Sequence, residues 1–258
     1  MVRGLYTAWT GMLNEQKRLD VISNNVANAQ TTGFKTENVT SQSFDNVLKV
    51  KIRDRSDGYD TDEIIGKVTL GVKIGEQYTD YAQGSLRETG NTFDLAIDGS
   101  GFFTVNVADT AGNTHTRYTR AGNFTMNADG IIMDSDGNRL QGEGGDISVP
   151  TTASEISIDG SGAIYADGEF VDNILLTDFE DYGYLKKYAD TMYEPVEGAT
   201  ETETVSGVVR QGYLEQSNVN VVKQMTNLIT ITRAYEANQK VIQTMDSSLE
   251  QSISLANV

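Results

Sequence analysis

With 258 residues and 38% apolar content, the chain can bury the core of one large domain or two small ones. It has no cysteine and one histidine, His115, which excludes a disulfide framework and a thiolate metal site and argues against a histidine-bound metal or a Ser-His-Asp triad. A net charge of −17 repels phosphate backbones, so nucleic acid is not an expected partner.

That charge is unevenly placed. Residues 1–35 hold four basic and two acidic side chains and residues 213–258 hold three and four, so the stretch between them carries −18. Two nearly neutral ends flank an acidic middle. No run approaches the roughly 20 apolar residues of a membrane span, so no membrane insertion is expected. The opening, MVRGLYTAWTGMLNEQKR, lacks the apolar core and cleavage site of a signal peptide.

Residues 4–29 read as a first helix. Leu5, Met12, Leu19 and Val26 repeat at seven, Trp9, Leu13 and Ile22 widen the stripe, and Glu15, Lys17, Arg18 and Asp20 lie mostly opposite. The helix is predicted to stop near Gln30, because Asn24, Asn25 and Asn28 are poor helix formers, Thr31 and Thr32 are β-branched, and Gly33 suits positive φ. The three asparagines either fray this end or offer their amides to neighbouring backbone in an assembly, fixing register at some cost in stability. Residues 36–75 alternate over Val47–Ile52 and Lys67–Ile74 around a polar stretch, Arg53–Asp62, and read as an excursion that is part extended and part mobile.

From about residue 76 to 195, runs of strand composition such as DLAI, FFTVNV and NILLTDF are separated by Asp98-Gly99, Asp129-Gly130, Asp136-Gly137, Asp159-Gly160 and Asp167-Gly168. Aspartate-glycine pairs supply the positive φ of hairpin turns, and strands at this spacing predict an antiparallel barrel or sandwich. His115, in HTRYTR, reads as an ordinary strand or loop residue. After the polar stretch 196–212, Val221, Leu228, Tyr235, Ile242, Leu249 and Ala256 again repeat at seven with no proline or glycine between them, the pattern of a coiled-coil seam. A helix of about 40 residues is roughly 60 Å long, more than a small body can cover. Its candidate partner is the Leu5–Val26 stripe, and a two-helix pair leaves Met225, Ile229, Met245 and Ile253 for neighbouring molecules.

The expected fold is therefore α+β. Residues 1–35 and 213–258 form a coiled-coil-like layer of terminal helices, 36–75 and 196–212 are connecting extended segments, and an antiparallel β domain at 76–195 is inserted between them.

Candidate chemistry is sparse. Asp134, Asp136 and Asn138 open like a calcium loop, but Arg139 and Gly145 stand where that loop needs glycine and glutamate, so DSDGNR reads as a β-turn. Asp94 and Asp98 could be imagined as a glycosidase pair, which is weak support in a chain with 37 acidic residues. Glycines at 99–101 and 142–145 lack the lysine or helix that would cradle phosphate. Neither an enzyme nor a cofactor or metal site is expected.

SNNVANAQTTGFK at the end of the first helix, GYLEQSNVNVVKQMTNLITITRAYEANQKVI at the C-terminus, and NTFDLAIDGSGFFTV with YTRAGNFTMNADG between them resemble, in order, the bacterial flagellar basal-body rod and hook family. The length is similar to rod members, distal ahead of proximal, more than to the longer hook members. The resemblance implies a non-enzymatic subunit that assembles with its own copies into a helical tube. Paired terminal helices would form the inner wall and β domains the outside. The implied partners are rod and hook proteins and the flagellar export apparatus, and the implied location is the basal body, outside the cytoplasm, reached without a cleaved signal. By matching positions, Asn24, Asn25, Ala27, Asn28, Thr31, Gly33 and Phe34 would form the turn leaving the inner helix. Leu214, Glu215, Ser217, Asn218, Val219 and Asn220 would begin the other, with Arg233, Ala234, Tyr235, Glu236 and Asn238 in its packed middle. A reading of another class, a β-domain adhesin on a helical stalk, shares the hairpins and the seam but gives SNNVANAQTTGFK no purpose.

Overall fold

The computed structural model describes residues 2–44, 47–51, 63–69, 71–108, 113–202 and 205–256. The fold is α+β: helix α1 (Val2–Ala27), a long series of strands, and helix α2 (Val221–Ala256). The chain divides into two compact units, one of Met1–Val26, Glu37–Tyr78 and Val221–Val258, the other of Ala27–Thr36 and Thr79–Asn220.

Helix α1 ends at Ala27, three residues before Gln30. The Asn28 carbonyl accepts from Thr31 N at 3.2 Å and Asn28 Oδ1 from Thr31 Oγ1 at 3.0 Å, a local turn that competes with the helix. Ala8, Asn14, Ile22 and Asn25 are its buried residues. Asn25 Nδ2 donates to the Glu37 carbonyl at 2.7 Å and Asn25 Oδ1 accepts from Glu37 N at 3.0 Å, while Ser41 Oγ donates to Asn14 Oδ1 at 3.1 Å. The helix thus runs back along the strand Thr36–Ser43. Eleven helical residues, about 16 Å, lie beside four strand residues, about 13 Å.

The strand Thr36–Ser43 pairs with Val72–Asp80, and Val47–Lys51 pairs antiparallel with Glu63–Val68. The part-mobile excursion expected over residues 36–75 is thus two successive ribbons. Its polar middle, Arg53–Asp62, lies outside the described residues. Gly71, with φ of 126°, ends the alternation predicted for Lys67–Ile74, and a Cβ there would fall on Thr10 Oγ1 of α1.

The less exposed residues of α2 include a line spaced alternately by three and four, Val221, Gln224, Leu228, Ile231, Tyr235, Asn238, Ile242, Met245 and Leu249, with half-buried Asn227, Thr232 and Ala234 beside it. A Cβ on Gly4 would fall on Met245 Cε, and one on Gly11 would lie 3.0 Å from Asn238 Nδ2. Seven residues forward on α1 match seven backward on α2, so the helices run antiparallel. The α1 line that meets α2 includes these two glycines, which permit close approach. Leu5, Met12 and Leu19 are half-buried, whereas Trp9 and Leu13, predicted to widen the buried stripe, are 50% and 44% exposed. Met245, predicted to lie on a flanking face, instead meets α1, while Met225, Ile229 and Ile253 are exposed as predicted.

In the second unit every strand pairing with a defined register is antiparallel, along an open path from Leu185–Lys187 through Met192–Pro195, Thr114–Thr119, Phe102–Ala108, Arg139–Gly142 and Ile132–Met133 to Thr125–Met126. A three-stranded sheet, Ile156–Ile158, Ala163–Ala166 and Glu169–Asn173, lies apart from that path. The strand Phe102–Ala108 separates two cores, because successive side chains point to opposite faces. Phe103 and Val105 join Leu95, Ile97, Ile132, Leu140 and Ile164, while Phe102 joins Tyr118, Phe179, Leu185 and Tyr193. Open order with burial on both faces replaces the barrel that the strand spacing also allowed.

The turns are mostly where the aspartate-glycine pairs lie. Gly99, Gly130, Gly137 and Gly168 have positive φ, but at Asp159-Gly160 the left-handed residue is Gly162, whose N–H reaches the Asp159 carbonyl at 2.9 Å across a longer loop. Asp98-Gly99 is not a two-residue hairpin, since Leu95–Asp98 pairs with Val208–Gln211.

Two phenols of the aromatic core hold their protons unusually well. Tyr118 donates to Glu201 at 2.9 Å and Tyr182 to Asp178 at 2.8 Å. Burial, then the hydrogen bond to carboxylate, raises Tyr118 well above an ordinary phenol and pushes Tyr182 up to about 12. A raised folded value stabilises fully below the unfolded value near 10 and fades as pH climbs through the folded one. Among the 12 tyrosines, ultraviolet titration is expected to show a late-ionising class, with unfolding that becomes progressively easier between pH 10 and 12. Ordinary titration of all phenols in the folded chain would contradict this.

Candidate functional site

Residues 27–36 and 213–220, which overlap two of the motifs singled out in the sequence, meet in the second unit. Tyr213–Glu215 is a strand paired with Leu86–Glu88, so Leu214 and Glu215 lie before α2 and do not begin it; the helix starts at Val221. Gln216 N donates to the Ser85 carbonyl at 2.9 Å and fixes the chain beyond this strand. The other segment lies against it. Gly33 N donates to the Glu215 carbonyl at 2.8 Å, and Asn218 Oδ1 accepts from Thr36 N at 2.8 Å and Thr36 Oγ1 at 2.7 Å. Asn218 Nδ2 turns the other way, to the carbonyls of Asp80 and Ala82.

Buried charge fills the junction. Glu215 is 0% exposed and Lys35 1%. Glu215 Oε1 accepts from Lys35 Nζ at 2.6 Å and Gly84 N at 2.8 Å, and Glu215 Oε2 accepts from Arg120 Nη1 at 3.3 Å. Lys35 also donates to the Ala82 carbonyl at 3.0 Å and Arg120 to the Gly99 carbonyl at 2.9 Å, with the guanidinium 5.2 Å from the Phe102 ring centre. Burial lowers the Lys35 ammonium below the ordinary lysine value, against the opposing pull of Glu215. Phe34 is fully buried, and the Lys187 ammonium lies 4.1 Å from the centre of its ring. Such an arrangement joins the segments through opposite charges that compensate one another, while the buried Arg120 Nε makes no hydrogen bond among the described residues.

Gly33 is required by conformation and by space. Its φ is 70°, and a Cβ would press on the backbone of Arg120 and Ala121. Gly33→Ala is expected to destabilise the second unit by at least about 1–3 kcal/mol, read as a lower urea midpoint; an unchanged midpoint would contradict the close approach.

The remaining predicted residues fall into three settings. Asn24 and Asn28 are half-buried and Asn25 buried in the last turn of α1 and just beyond it, and Ala27 is exposed. Thr31 is half-buried in the turn, Val219 is half-buried with its N–H on Ser217 Oγ at 3.3 Å, and Asn220 is exposed. On α2, Val221, Leu228, Ala234, Tyr235, Asn238, Ile242 and Leu249 share the half-buried side, whereas Arg233 is exposed. Large apolar side chains remain in water on both helices: Tyr6, Trp9 and Leu13 on α1, and Val222, Met225, Ile229, Val241, Ile253 and Leu255 on α2.

Sequence reading passed over Lys35 and Arg120. Each sits in a quoted stretch, TGFK and YTRAGNF, but the separations of 180 and 95 residues to Glu215 leave no periodic trace. The imagined carboxylate pair has separate structural uses: Asp94 accepts from Thr89 at 2.6 Å, and Asp98 pairs with Arg210 at 2.7 Å. DSDGNR is a turn closed by Asp134 Oδ1 on Asp136 N at 2.6 Å, and His115 is an exposed strand residue. Among the described residues, no group of three or more His, Asp or Glu could hold a metal, and no helix is long and apolar enough to cross a membrane.

Three family models match the chain: "Flagella basal body rod protein" over residues 5–35, "Flagellar hook protein FlgE/F/G D1 domain" over 96–166 and "Flagellar basal body rod FlgEFG protein C-terminal" over 210–255. The chain is 33% identical to the flagellar basal-body rod protein FlgG of Bacillus subtilis over 99% of both chains. It is 36% identical to FlgG of Agrobacterium fabrum over 95% of this chain and 96% of that one, and 31% identical to the rod protein FlgF of Caulobacter vibrioides over 98% and 96%.

Proposed function

Because the chain belongs to the flagellar basal-body rod family and is a structural subunit of that rod, we propose that it works by polymerising with its own copies into a helical tube that transmits torque and encloses an export channel. One observation carries the step from subunit to polymer. A helix of 36 residues, about 54 Å long, leaves Val222, Met225, Ile229, Ile253 and Leu255 in water, and α1 leaves Tyr6 and Trp9. Apolar surface on this scale marks an interaction face.

In this reading α1 and α2 form a coiled-coil-like wall, residues 1–35 and 213–258 make the inner layer, 36–75 and 196–212 connect it outward, and 76–195 stand outside. The predicted assembly positions divide accordingly. Leu5, Met12, Leu19, Val221, Leu228, Ala234, Tyr235, Asn238, Ile242 and Leu249 hold the two helices of one subunit, Trp9 and Arg233 face the next, and Asn24, Asn25, Ala27, Asn28, Thr31, Gly33, Phe34, Leu214, Glu215, Asn218, Val219 and Asn220 fix the turns that feed the helices. The relatives named FlgG favour the distal over the proximal part of the rod. Its partners are further rod and hook proteins and the export apparatus, which passes it out of the cytoplasm without cleaving a signal.

Polymerisation has a threshold. Raising the concentration of purified protein should leave it monomeric up to a critical value and sediment all excess as polymer. A chain that stays monomeric at every concentration while binding an external ligand would favour the adhesin.

A further inference from the structure

We propose that Lys35, Arg120 and Glu215 form a latch that closes in a fixed order: the C-terminal segment docks on the β body first, and the N-terminal segment can dock only after it. The hydrogen bonds divide this way. Those of the C-terminal segment to the β body are the ladder to Leu86–Glu88, Gln216 N on Ser85, Ser85 Oγ on Gln216, Gly84 N and Arg120 on Glu215, and Asn218 Nδ2 on Asp80 and Ala82. None needs residues 27–36. The N-terminal segment instead bonds to the C-terminal one, through Gly33 N on the Glu215 carbonyl, Thr36 on Asn218 and Lys35 on Glu215. Its direct holds on the β body are Lys35 on the Ala82 carbonyl, Lys187 over Phe34, and the packing of Gly33 on Arg120 and Ala121.

Charge enforces the order. Glu215 docking on Arg120 buries a neutral pair, and Lys35 then joins a carboxylate already in place. In the reverse order two cations, Lys35 and Arg120, would be brought close to each other with no anion between them, a like-charge contact that is unfavourable. The other carboxylate acting on Lys35, that of Asp80, is exposed and already accepts from Ala82 N at 3.0 Å, so it is a poor substitute. The N-terminal segment is made first and yet closes last.

Native-state amide exchange on the full chain in low urea tests this without any variant. Gly33–Thr36 should open at lower denaturant than Leu214–Gln216, and the reverse order would overturn the proposal. Variants add the asymmetry. Glu215→Gln should lower protection at Gly33–Thr36 by at least about tenfold, whereas Lys35→Met should leave Leu214–Gln216 within about threefold of wild type. The double variant should recover part of the lost protection at Gly33–Thr36, because the stranded ammonium is gone. Equal loosening of both segments by Lys35→Met, or full protection of Gly33–Thr36 in Glu215→Gln, would contradict an ordered latch. If Glu215→Gln does not fold, the wild-type opening order decides alone.

Discussion

Glu215→Gln is expected to destabilise the second unit by about 3–5 kcal/mol, a large share of the roughly 5–15 kcal/mol that holds a typical domain together. Glutamine keeps the shape, but its amide nitrogen must face one of three donors, Lys35, Arg120 or Gly84 N, and its neutral oxygen cannot compensate two buried cations. The cost is thus that of stranded charge and exceeds one lost hydrogen bond. Replacing all three by apolar residues, in Lys35→Met/Arg120→Met/Glu215→Leu, should return most of the loss, because an apolar cluster carries no desolvation penalty. Urea unfolding followed by tyrosine fluorescence reads both. A single variant within about 1 kcal/mol of wild type would mean that water reaches the junction.

Ile229→Asp is expected to leave the monomer within about 1 kcal/mol of wild type, since Ile229 is 53% exposed, while polymerisation fails. Burying an isoleucine side chain between subunits is worth about 1.5–3 kcal/mol, and burying an aspartate in its place costs more. At about 1.4 kcal/mol per tenfold, the critical concentration should rise at least about thirtyfold. Met225→Asp, on the same exposed side of α2, should do the same, whereas Arg210→Ser, on the β body and paired with half-buried Asp98, should leave the threshold near wild type. Normal polymerisation of Ile229→Asp would remove α2 from the subunit interface.

Features with a local cause were legible in advance. The line from Val221 to Leu249 depends only on helix period, and its side of α2 is the less exposed one. The turns at Gly99, Gly130, Gly137 and Gly168 follow from the backbone freedom of glycine. On α1 periodicity misled, because it ranks residues by apolarity, whereas the line meeting α2 was chosen by size. Gly4 and Gly11 face Met245 and Asn238, and that rotates Trp9 and Leu13 into water. Asparagine at a helix end was ambiguous between fraying and bonding in an assembly, and neither alternative included the bond within the chain by which Asn25 takes both backbone groups of Glu37. Of the buried ionic cluster Lys35, Arg120 and Glu215 only Glu215 was named, and then as the start of a helix. Its actual neighbours arrive through sheet topology, which a one-dimensional pattern does not encode.

The placement of the helices can be read by cryo-electron microscopy of the polymer formed by the purified chain. A straight hollow tube is expected, with α1 and α2 at the innermost radius, the Met225–Ile229 side of α2 packed on a neighbouring subunit and residues 76–195 outside. A polymer whose channel is lined by the β body, or whose α2 helices touch no neighbouring subunit, would contradict it.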